Sequence, residues 1–271
     1  MSTVEPYPRD LIGVDTENYS GQGDLGQLDR RHSLDRVLTV AAEAIGTRRD
    51  QWYRQDQGDG ELALAPAEVS RPRLVDDWVR ELTSELRRHN HPRRAGERMR
   101  LRVAFDHGDV LLDGTGIAGE AAVAVSRLLN SEQTRAALST APEADLVLIL
   151  SDPVYRSVVL QRHRSLDPAD FKRVHVAEKR YRAVAWVRVP GRRARDLPDL
   201  DAIAGQKAAE ESRQPHQAPQ AVDTSETVNQ GIQQFGGTIN AEQIAVGRGA
   251  QAIRDSRMPL SQEQAEETGT T

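Results

Sequence analysis

Two aspartates have the residue type and the local context of a metal site. Asp15 ends the apolar run Leu11–Val14, which is typical of a buried strand. Asp59 lies in Asp56–Gly60, where an Asp-Gly pair between two strand-like runs predicts the tip of a hairpin. If that hairpin lies beside the first strand, the two carboxylates meet at one end of a sheet. Because close carboxylates repel each other, they would favour Mg²⁺ or Mn²⁺ between them.

A carboxylate pair of this kind is typical of phosphoryl-transfer sites. Hard cations there bind one or two protein carboxylates and complete their coordination with oxygens of the substrate phosphates. The loop after Asp15 has backbone N–H groups, at Tyr19 and Ser20 for instance, that could donate to a phosphate. Strand-end aspartates also serve structural roles, so on these residues alone that alternative stays open.

The composition narrows the class of protein. With 38% apolar residues in 271, the chain has the composition of a soluble protein with a core, and the absence of cysteine excludes disulfides and thiolate metal sites. The N-terminus lacks the basic segment and the apolar run of a signal peptide. No apolar stretch reaches the roughly 20 residues that span a bilayer. We therefore expect a cytoplasmic protein without a membrane contact.

The charge argues against nucleic acid as a partner. The formal net charge is −5, so the chain as a whole does not favour a polyanion. The arginine-rich stretch Arg87–Arg102 is a local exception. We interpret it as a solvated surface, because no aromatic stacking platform lies near it in the sequence.

The hydrophobic pattern predicts the elements that must position the two aspartates. Apolar residues recur at helical spacing over 34–45 and again after Pro72, whereas Met99–Phe105 alternates as a half-buried strand. We expect His107–Asp109 to turn that strand into a second one, and Gly119 to begin a helix of small residues. The complete order is β-α-β-β-α-β-β-α-β-α-β-β. It predicts an α/β (α+β) domain with a mixed, mostly antiparallel sheet and helices on one face.

The character of the sequence changes towards the C-terminus. We predict a flexible N-terminus over 1–7 and a folded domain over 8–190. Residues 191–230 are rich in Ala, Gln, Arg, Glu and Pro with little apolar periodicity, which predicts a disordered linker. Residues 231–254 combine low charge with amides, Ile and Val, and are therefore β-prone. Residues 255–271 are polar and are predicted to be disordered.

Five segments resemble the motifs of class III adenylate and guanylate cyclases. In chain order they are Val14–Ser20 (VDTENYS), Gln57–Gly60 (QGDG), Arg102–Val110 (RVAFDHGDV), Gly119–Leu129 (GEAAVAVSRLL) and Glu178–Lys179. The first two resemble the family's metal-binding motif and its Gly-Asp hairpin. The fourth resembles the helix on which the family has an Asn and an Arg four residues apart. The five segments extend through the whole predicted domain. They are particularly similar to the motifs of small actinobacterial cyclase-homology proteins.

The resemblance implies a ferredoxin-like catalytic domain and a specific reaction. A nucleoside triphosphate would be converted to a 3′,5′-cyclic nucleotide and pyrophosphate, with two Mg²⁺ or Mn²⁺ ions held by Asp15 and Asp59. Arg127 would stabilise charge at the α-phosphate, and Lys179 would bind the triphosphate. The family takes its metal aspartates from one subunit and its Asn/Arg helix from the other. A head-to-tail homodimer with two-fold symmetry is therefore implied.

Two positions depart from the family pattern. Val123 stands where the family has its transition-state Asn, and the loss of such a donor typically costs about 10²–10³ in rate. Gln55 stands where purine cyclases have a base-reading Lys. A pyrimidine base therefore stays open, as in the pyrimidine cyclases of bacterial anti-phage systems. The sequence is compatible both with an active cyclase and with a degenerate pseudo-cyclase that senses a nucleotide or acts as an adaptor.

A segment near the C-terminus has a pattern that could bind a partner protein. Gln243–Ala250 loosely resembles the amyloid signalling motifs that bacterial immune proteins share with RHIM-type motifs, although Arg248 departs from that pattern. Segments of β-branched residues and amides stack well in cross-β arrays. One interpretation is templated pairing with an effector protein that bears a matching segment. The other is a disordered tail or a short local hairpin.

Overall fold

The computed structural model of the chain describes residues 5–17, 24–113 and 116–213. All of them belong to the first of two units into which the chain divides, Met1–Gln214. Tyr19, Ser20 and the β-prone segment 231–254 lie outside the described residues. The predictions that fall on them therefore stay predictions.

Eight strands and six α-helices make up the described part of the chain. The strands are β1 (Tyr7–Thr16), β2 (Tyr53–Asp56), β3 (Gly60–Leu64), β4 (Leu101–Asp113), β5 (Gly116–Ala118), β6 (Leu146–Ser151), β7 (Lys172–Glu178) and β8 (Tyr181–Arg188). The helices are α1 (Asp24–Ala44), α2 (Val79–Asn90, after a π-helical turn over Arg73–Trp78), α3 (Glu120–Leu129), α4 (Glu132–Ser139), α5 (Asp152–Val158) and α6 (Leu200–Arg213). Among the described residues, none of these helices is both long and apolar enough to cross a bilayer.

The strands form one mixed sheet in the order β2-β3-β1-β4-β6-β8-β7, and β5 pairs with the end of β4. β4 and β6 are parallel, whereas the other described strand pairs are antiparallel. This confirms the predicted fold class. β1 pairs with β4 along its whole length, from Tyr7 to Thr16, and with β3 on its other edge. The end of β1 is therefore fixed on both sides.

Alternation along the central strands builds a core on each face of the sheet. In β4, Val103 and Phe105 pack in the cluster of α1, α2 and α5, whereas Ala104 packs in the cluster of α3, α4 and α6. β6 is apolar and buried on both faces. A strand of that kind needs cover on both sides. The helices accordingly lie on both faces, and the prediction that they lie on one face is wrong.

β4 is longer than the sequence pattern predicts. His107–Asp109 continue the strand, because they pair with Pro8–Asp10 at the start of β1. The predicted turn at His107–Asp109 is therefore wrong. The chain reverses later instead, where β5 pairs back onto the end of β4 with Leu111 opposite Ala118.

The sequence pattern does not predict α4 and α6. α4 begins after Ser131, whose hydroxyl oxygen accepts a hydrogen bond from the backbone N–H of Thr134 and caps the helix. α6 lies within the segment predicted as a linker, and its Leu200 and Ala204 are buried. The linker prediction is wrong for 200–213, because a few apolar residues on one side are enough to dock an otherwise polar helix.

Candidate active site

The structure brings Asp15 and Asp59 to the same edge of the sheet. The hairpin of β2 and β3 pairs with β1, and Gly60 lies directly opposite Asp15. The backbone N–H and the hydroxyl of Thr16 both donate to the carbonyl oxygen of Asp59, each at 3.0 Å. Both aspartates line a pocket of about 110 Å³. The other residues that line it are Gly13, Val14, Gln57, Glu61, Leu62, Val125, Ser126, Leu129 and Asn130.

The hairpin tip depends on its two glycines. Gly58 has a φ of +84°, which a residue with a Cβ adopts only at a cost. Its N–H donates to Oδ1 of Asp56 at 2.8 Å and closes the turn. Gly60 lies so close to β1 that a Cβ there would overlap the carbonyl oxygen of Val14. The Gly-Asp-Gly sequence therefore allows Asp59 to reach the end of β1.

Asp15 is buried beside both a positive and a negative charge. Only 6% of the residue is exposed, and its Oδ1 accepts a hydrogen bond from Nε of Arg102 at 2.7 Å. Burial raises the pKa of Asp15 to about 6; Arg102 opposes that rise, and the charge of Asp59 adds to it. A carboxylate that is costly to ionise and lies near a second carboxylate gains from a bound cation.

The carboxylates fit a divalent cation that the protein coordinates only in part. Among the described residues, no group of three or more His, Asp or Glu side chains could hold a metal ion. Glu61 lines the pocket, but Arg49 binds both of its carboxylate oxygens, at 2.5 and 2.6 Å. Asp15 and Asp59 remain as the two carboxylates that could bind such a cation. Mg²⁺ commonly binds one or two carboxylates and takes its other oxygens from phosphates and water, so the pair fits that coordination.

Arg127 and Val123 lie one turn apart on the outer side of α3. Val123 is 51% exposed. The side chain of Arg127 is half-buried, and within the described part of the chain it has neither an ion pair nor a hydrogen bond. Neither residue lines the pocket of Asp15 and Asp59.

Lys179 occupies the two-residue turn between β7 and β8. It is exposed and has a φ of +54°, a left-handed conformation that costs roughly 1–2 kcal/mol for a residue with a Cβ. Its carbonyl oxygen accepts a hydrogen bond from Nη1 of Arg182 at 2.8 Å, which stabilises the turn. Like Arg127, Lys179 does not line the pocket of the two aspartates.

Gln55 is held in place by its own chain. Its Oε1 accepts a hydrogen bond from the backbone N–H of Ile117 at 3.0 Å. Because an N–H group bonds only to an acceptor, this contact determines which end of the amide is the oxygen. Gly116 makes room for the contact, since a Cβ there would lie 2.7 Å from Oε1. Nε2 is therefore the end of the Gln55 amide that can donate to a ligand.

Arg102 is a further candidate residue, although the sequence pattern predicts that it lies in a solvated basic stretch. The side chains of Arg102 and Arg100 are only 12% and 14% exposed, and they pair with Asp15 and Glu17 respectively. Arg102 also lies directly opposite Asp15 in the ladder of β1 and β4. The signal that could reveal it is the alternation of arginines with apolar residues at the start of β4.

Known proteins resemble this chain in structure rather than in sequence. No protein-family model and no curated protein matches it. The crystal structure of an adenylate/guanylate cyclase/hydrolase from Silicibacter pomeroyi is 20% identical, and the match covers 69% of this chain and 99% of that chain with a TM-score of 0.51. Two weaker matches are the guanylyl cyclase Cya2 (14% identity, 69% and 92% coverage, TM-score 0.47) and the guanylate cyclase domain of RhGC from Catenaria anguillulae in complex with GTP (13% identity, 68% and 98% coverage, TM-score 0.45). The described residues thus have the fold of an adenylate/guanylate cyclase catalytic domain.

Proposed function

We propose that this protein is a nucleotide cyclase of the class III type. It converts a nucleoside triphosphate to a 3′,5′-cyclic nucleotide and pyrophosphate, in the cytoplasm and in a bacterial signalling or anti-phage defence setting. The observation that carries the proposal is the meeting of Asp15 and Asp59 at the end of β1. On this fold, such a pair is the ligand set that Mg²⁺ or Mn²⁺ needs when substrate phosphates complete the coordination.

The residues of the chain have separate tasks in this reaction. Asp15 and Asp59 would hold two divalent cations, which would lower the pKa of the 3′-hydroxyl and neutralise charge on the phosphates. The 3′-oxygen forms a bond to the α-phosphorus, its proton passes to water, and the bond from that phosphorus to the bridging oxygen breaks. Pyrophosphate leaves with the electron pair of that bond. Arg127 donates N–H groups to the α-phosphate oxygens as charge develops, and Lys179 stabilises the leaving pyrophosphate.

Substrate binding uses polar groups at two further places. Backbone N–H groups at Tyr19 and Ser20, in the loop after Asp15, donate to the phosphates. Gln55 contacts the base through Nε2, because its Oε1 is already bonded to the N–H of Ile117. A pyrimidine base is as compatible with this donor as a purine base.

The separation of these residues favours a homodimer as the active unit. Neither Arg127 nor Lys179 lines the pocket of Asp15 and Asp59 in the same chain. A second copy related by a two-fold axis can bring its own Arg127 and Lys179 to that pocket and receive the same from the first copy. Each of the two sites then contains residues from both chains.

Val123 favours a second candidate function, that of a pseudo-cyclase. Its side chain is 51% exposed one turn before Arg127, so packing does not require an apolar residue there. It offers no hydrogen bond to a transition state. A pseudo-cyclase binds a nucleotide without turnover, and it signals through the segment 231–254 to an effector protein that bears a matching segment.

The first test is incubation of the purified full chain with each of ATP, GTP, CTP and UTP plus Mn²⁺, followed by mass spectrometry for cyclic monophosphates. We expect one cyclic product from the wild type. Asp15→Ala should yield about 10³-fold less, because cation binding supplies several kcal/mol of stabilisation. The matched control is Asp196→Ala, which removes an exposed aspartate outside the site and should leave the rate unchanged.

Three results would decide between the candidate functions. Equal product from Asp15→Ala and the wild type would reject the metal assignment. No product from any nucleotide, with a folded dimer confirmed, would reject the cyclase. If such a protein still binds a 3′-deoxynucleoside triphosphate, and if deletion of 231–271 abolishes its effect in cells, the pseudo-cyclase is supported.

A further inference from the structure

A pocket of about 450 Å³ lies on the opposite face of the sheet from the pocket of the two aspartates. Its walls come from one side of α2, within residues 79–87, and from residues 188–191 at the end of β8, so we call it the α2–β8 pocket. Trp186 lies two residues before Arg188, hence on the same side of β8, and packs against the cluster of α1, α2 and α5. The pocket of the two aspartates is lined instead by residues of α3. The two pockets are therefore separate sites.

Three arginines from two distant parts of the chain line the α2–β8 pocket. Arg80 and Arg87 are seven residues apart on α2, hence on one side of the helix and about 10 Å apart along its axis. Arg188 belongs to the end of β8. Nη2 of Arg87 lies 3.8 Å from the position that a Cβ on Gly191 would occupy, so the guanidinium group of Arg87 reaches the β8 side of the pocket. The tertiary fold thus brings Arg87 and Arg188 to one concave site.

Arg188 is a largely buried cation whose donors are not used within the described part of the chain. Its side chain is 19% exposed, and its guanidinium group lies over the ring of Phe171, 5.5 Å from the ring centroid. Among the described residues it donates no hydrogen bond, and its ion pair with Asp170 spans 3.9 Å. Asp170 already accepts a hydrogen bond from Nη1 of Arg193 at 2.9 Å. Burial lowers the pKa of Arg188, because a buried charge is costly without a close partner, and an anion in the pocket would supply that partner.

The other charges of the pocket leave an excess of positive charge. Arg87 has neither an ion pair nor a hydrogen bond from its side chain to any described residue. Arg80 forms ion pairs with three carboxylates within four residues of it in the sequence. Asp76 is the carboxylate that lines the pocket, and its oxygens accept hydrogen bonds from the backbone N–H of Ser165 at 2.8 Å and from its hydroxyl at 2.7 Å. The donors of the other two arginines therefore remain open to a ligand.

We propose that the α2–β8 pocket binds a small phosphate monoester, with the phosphate group between Arg87 and Arg188. Each guanidinium group offers paired N–H donors that match two phosphate oxygens, and a monoester at neutral pH has nearly the charge that neutralises two arginines. The volume of about 450 Å³ is within the range of small-molecule sites and is larger than a phosphate group fills. The remaining space lies against Val79 and Pro190, which suit the carbon atoms of an ester. This site goes beyond the proposed function, because it takes no part in the cyclase reaction.

Calorimetric titration of the full chain with glycerol 3-phosphate, at pH 8 and with a chelator present, tests the pocket without turnover. We expect Arg87→Gln and Arg188→Gln each to bind about tenfold more weakly than the wild type, or worse, because each loses hydrogen bonds to a charged group. The matched control is Arg88→Gln, which removes the next arginine of α2, paired with Glu85, and should leave the affinity unchanged. Arg87 is exposed, so its variant tests the pocket even if Arg188→Gln does not fold. Equal affinity in the wild type and Arg87→Gln, or no binding to the wild type at millimolar ester, would overturn the proposal.

Two further titrations identify the ligand and separate this proposal from the proposed function. Inorganic phosphate should bind more weakly than glycerol 3-phosphate, because it makes no contact with Val79 and Pro190; equal affinities would overturn the ester and assign the pocket to free phosphate. Asp15→Ala should bind glycerol 3-phosphate as the wild type does, whereas loss of binding would place the ester in the pocket of the two aspartates and overturn the proposal. A chain that makes no cyclic product can still bind the ester. An active cyclase whose affinity for the ester does not depend on Arg87 and Arg188 refutes this proposal alone.

Discussion

The acidic edge, Asp15 and Asp59, and the basic surface, Arg127 and Lys179, are built in opposite ways. In the acidic edge Asp15 is buried and Asp59 is half-buried. The backbone N–H and the hydroxyl of Thr16 anchor Asp59, and Arg102 of the same chain is a counterion for Asp15. The basic surface lies on the outer side of a helix and in an exposed turn, and Arg127 has no partner among the described residues. One region is complete within the chain, whereas the other is available to something outside it.

The two regions therefore differ in how much they cost the stability of the folded chain. Burial of Asp15 costs stability in the absence of a cation, and the ladders of β1 and the Gly60 contact hold it in place against that cost. Arg127 carries no such cost, because it stays partly in water. A site divided in this way needs a rigid half that positions the metal ions and a second half that arrives with another copy, as the proposed homodimer requires.

The largest effect should come from mixing two inactive variants. Asp59→Ala removes half of the acidic edge and Arg127→Ala removes half of the basic surface, so each alone should lower cyclase activity about 10²–10³-fold or more. After subunit exchange in an equal mixture, half of the dimers contain one intact site. About a quarter of the wild-type activity should therefore return, measured as cyclic product per chain.

The control for this experiment mixes Asp15→Ala with Asp59→Ala. Each variant lacks one carboxylate of the acidic edge, so every site in the mixture stays defective and no activity should return. If the control pair recovers activity, or if the first pair does not despite complete exchange, the division of the site between two chains is wrong.

The next largest effect should be on the stability of the fold, because ionised Asp15 is buried when no cation is bound. Asp15→Asn should stabilise the cation-free protein at pH 8 by about 3 kcal/mol, because a rise in pKa from 3.8 to about 6 corresponds to that free energy. The unfolded chain loses the proton of Asp15 near pH 4 and the folded chain only near pH 6. The stability of the wild type therefore falls as the pH rises through this window, and the two proteins should be equally stable below pH 4.

Urea unfolding at pH 8 and at pH 3.5, in the presence of a chelator, measures this difference. Asp196→Asn changes an exposed aspartate and should be neutral at both pH values. Added Mn²⁺ should stabilise the wild type at pH 8 and have less effect on Asp15→Asn. A variant that is less stable than the wild type at pH 8 would show that the pairing with Arg102 outweighs burial.

Local signals were sufficient to predict the acidic edge but not its surroundings. Asp15 ends an apolar strand and Asp59 lies in a Gly-Asp-Gly turn, so residue order alone indicates that they can meet. The ion pair of Arg102 depends on the register of β1 against β4, which a sequence pattern does not specify. The docking of α6 depends on long-range contacts such as that of Asp201 with His175. The helix pattern of 200–213 by itself is too polar to indicate burial.

A smaller effect, in the opposite direction, is expected on the basic surface. Val123→Asn places a hydrogen-bond donor one turn before Arg127, and the exposure of residue 123 lets the helix accept it with little loss of stability. If the domain is an active cyclase, the rate should rise by up to about 10²-fold, the lower end of the range for a transition-state donor. The measurement is kcat with the preferred nucleotide, and Val123→Thr, with a shorter side chain, is the matched control. An unchanged rate would show that residue 123 does not reach the substrate.

The smallest effect should be a change of base preference at Gln55, which tests whether the hairpin that carries Asp59 also contacts the base. In the wild type Nε2 is a donor, which favours a carbonyl oxygen on the base, as in guanine and uracil. Gln55→Glu keeps an acceptor for the N–H of Ile117 but presents a second carboxylate oxygen, which favours an amino group, as in adenine and cytosine. The ratio of kcat/KM between the two classes should change about tenfold, the value of one mismatched hydrogen bond. Gln161→Glu makes the same change at an exposed position and should leave the ratio unaltered. An equal loss with all four nucleotides would mean that Gln55 only links β2 to β5, and base recognition would then lie elsewhere in the site.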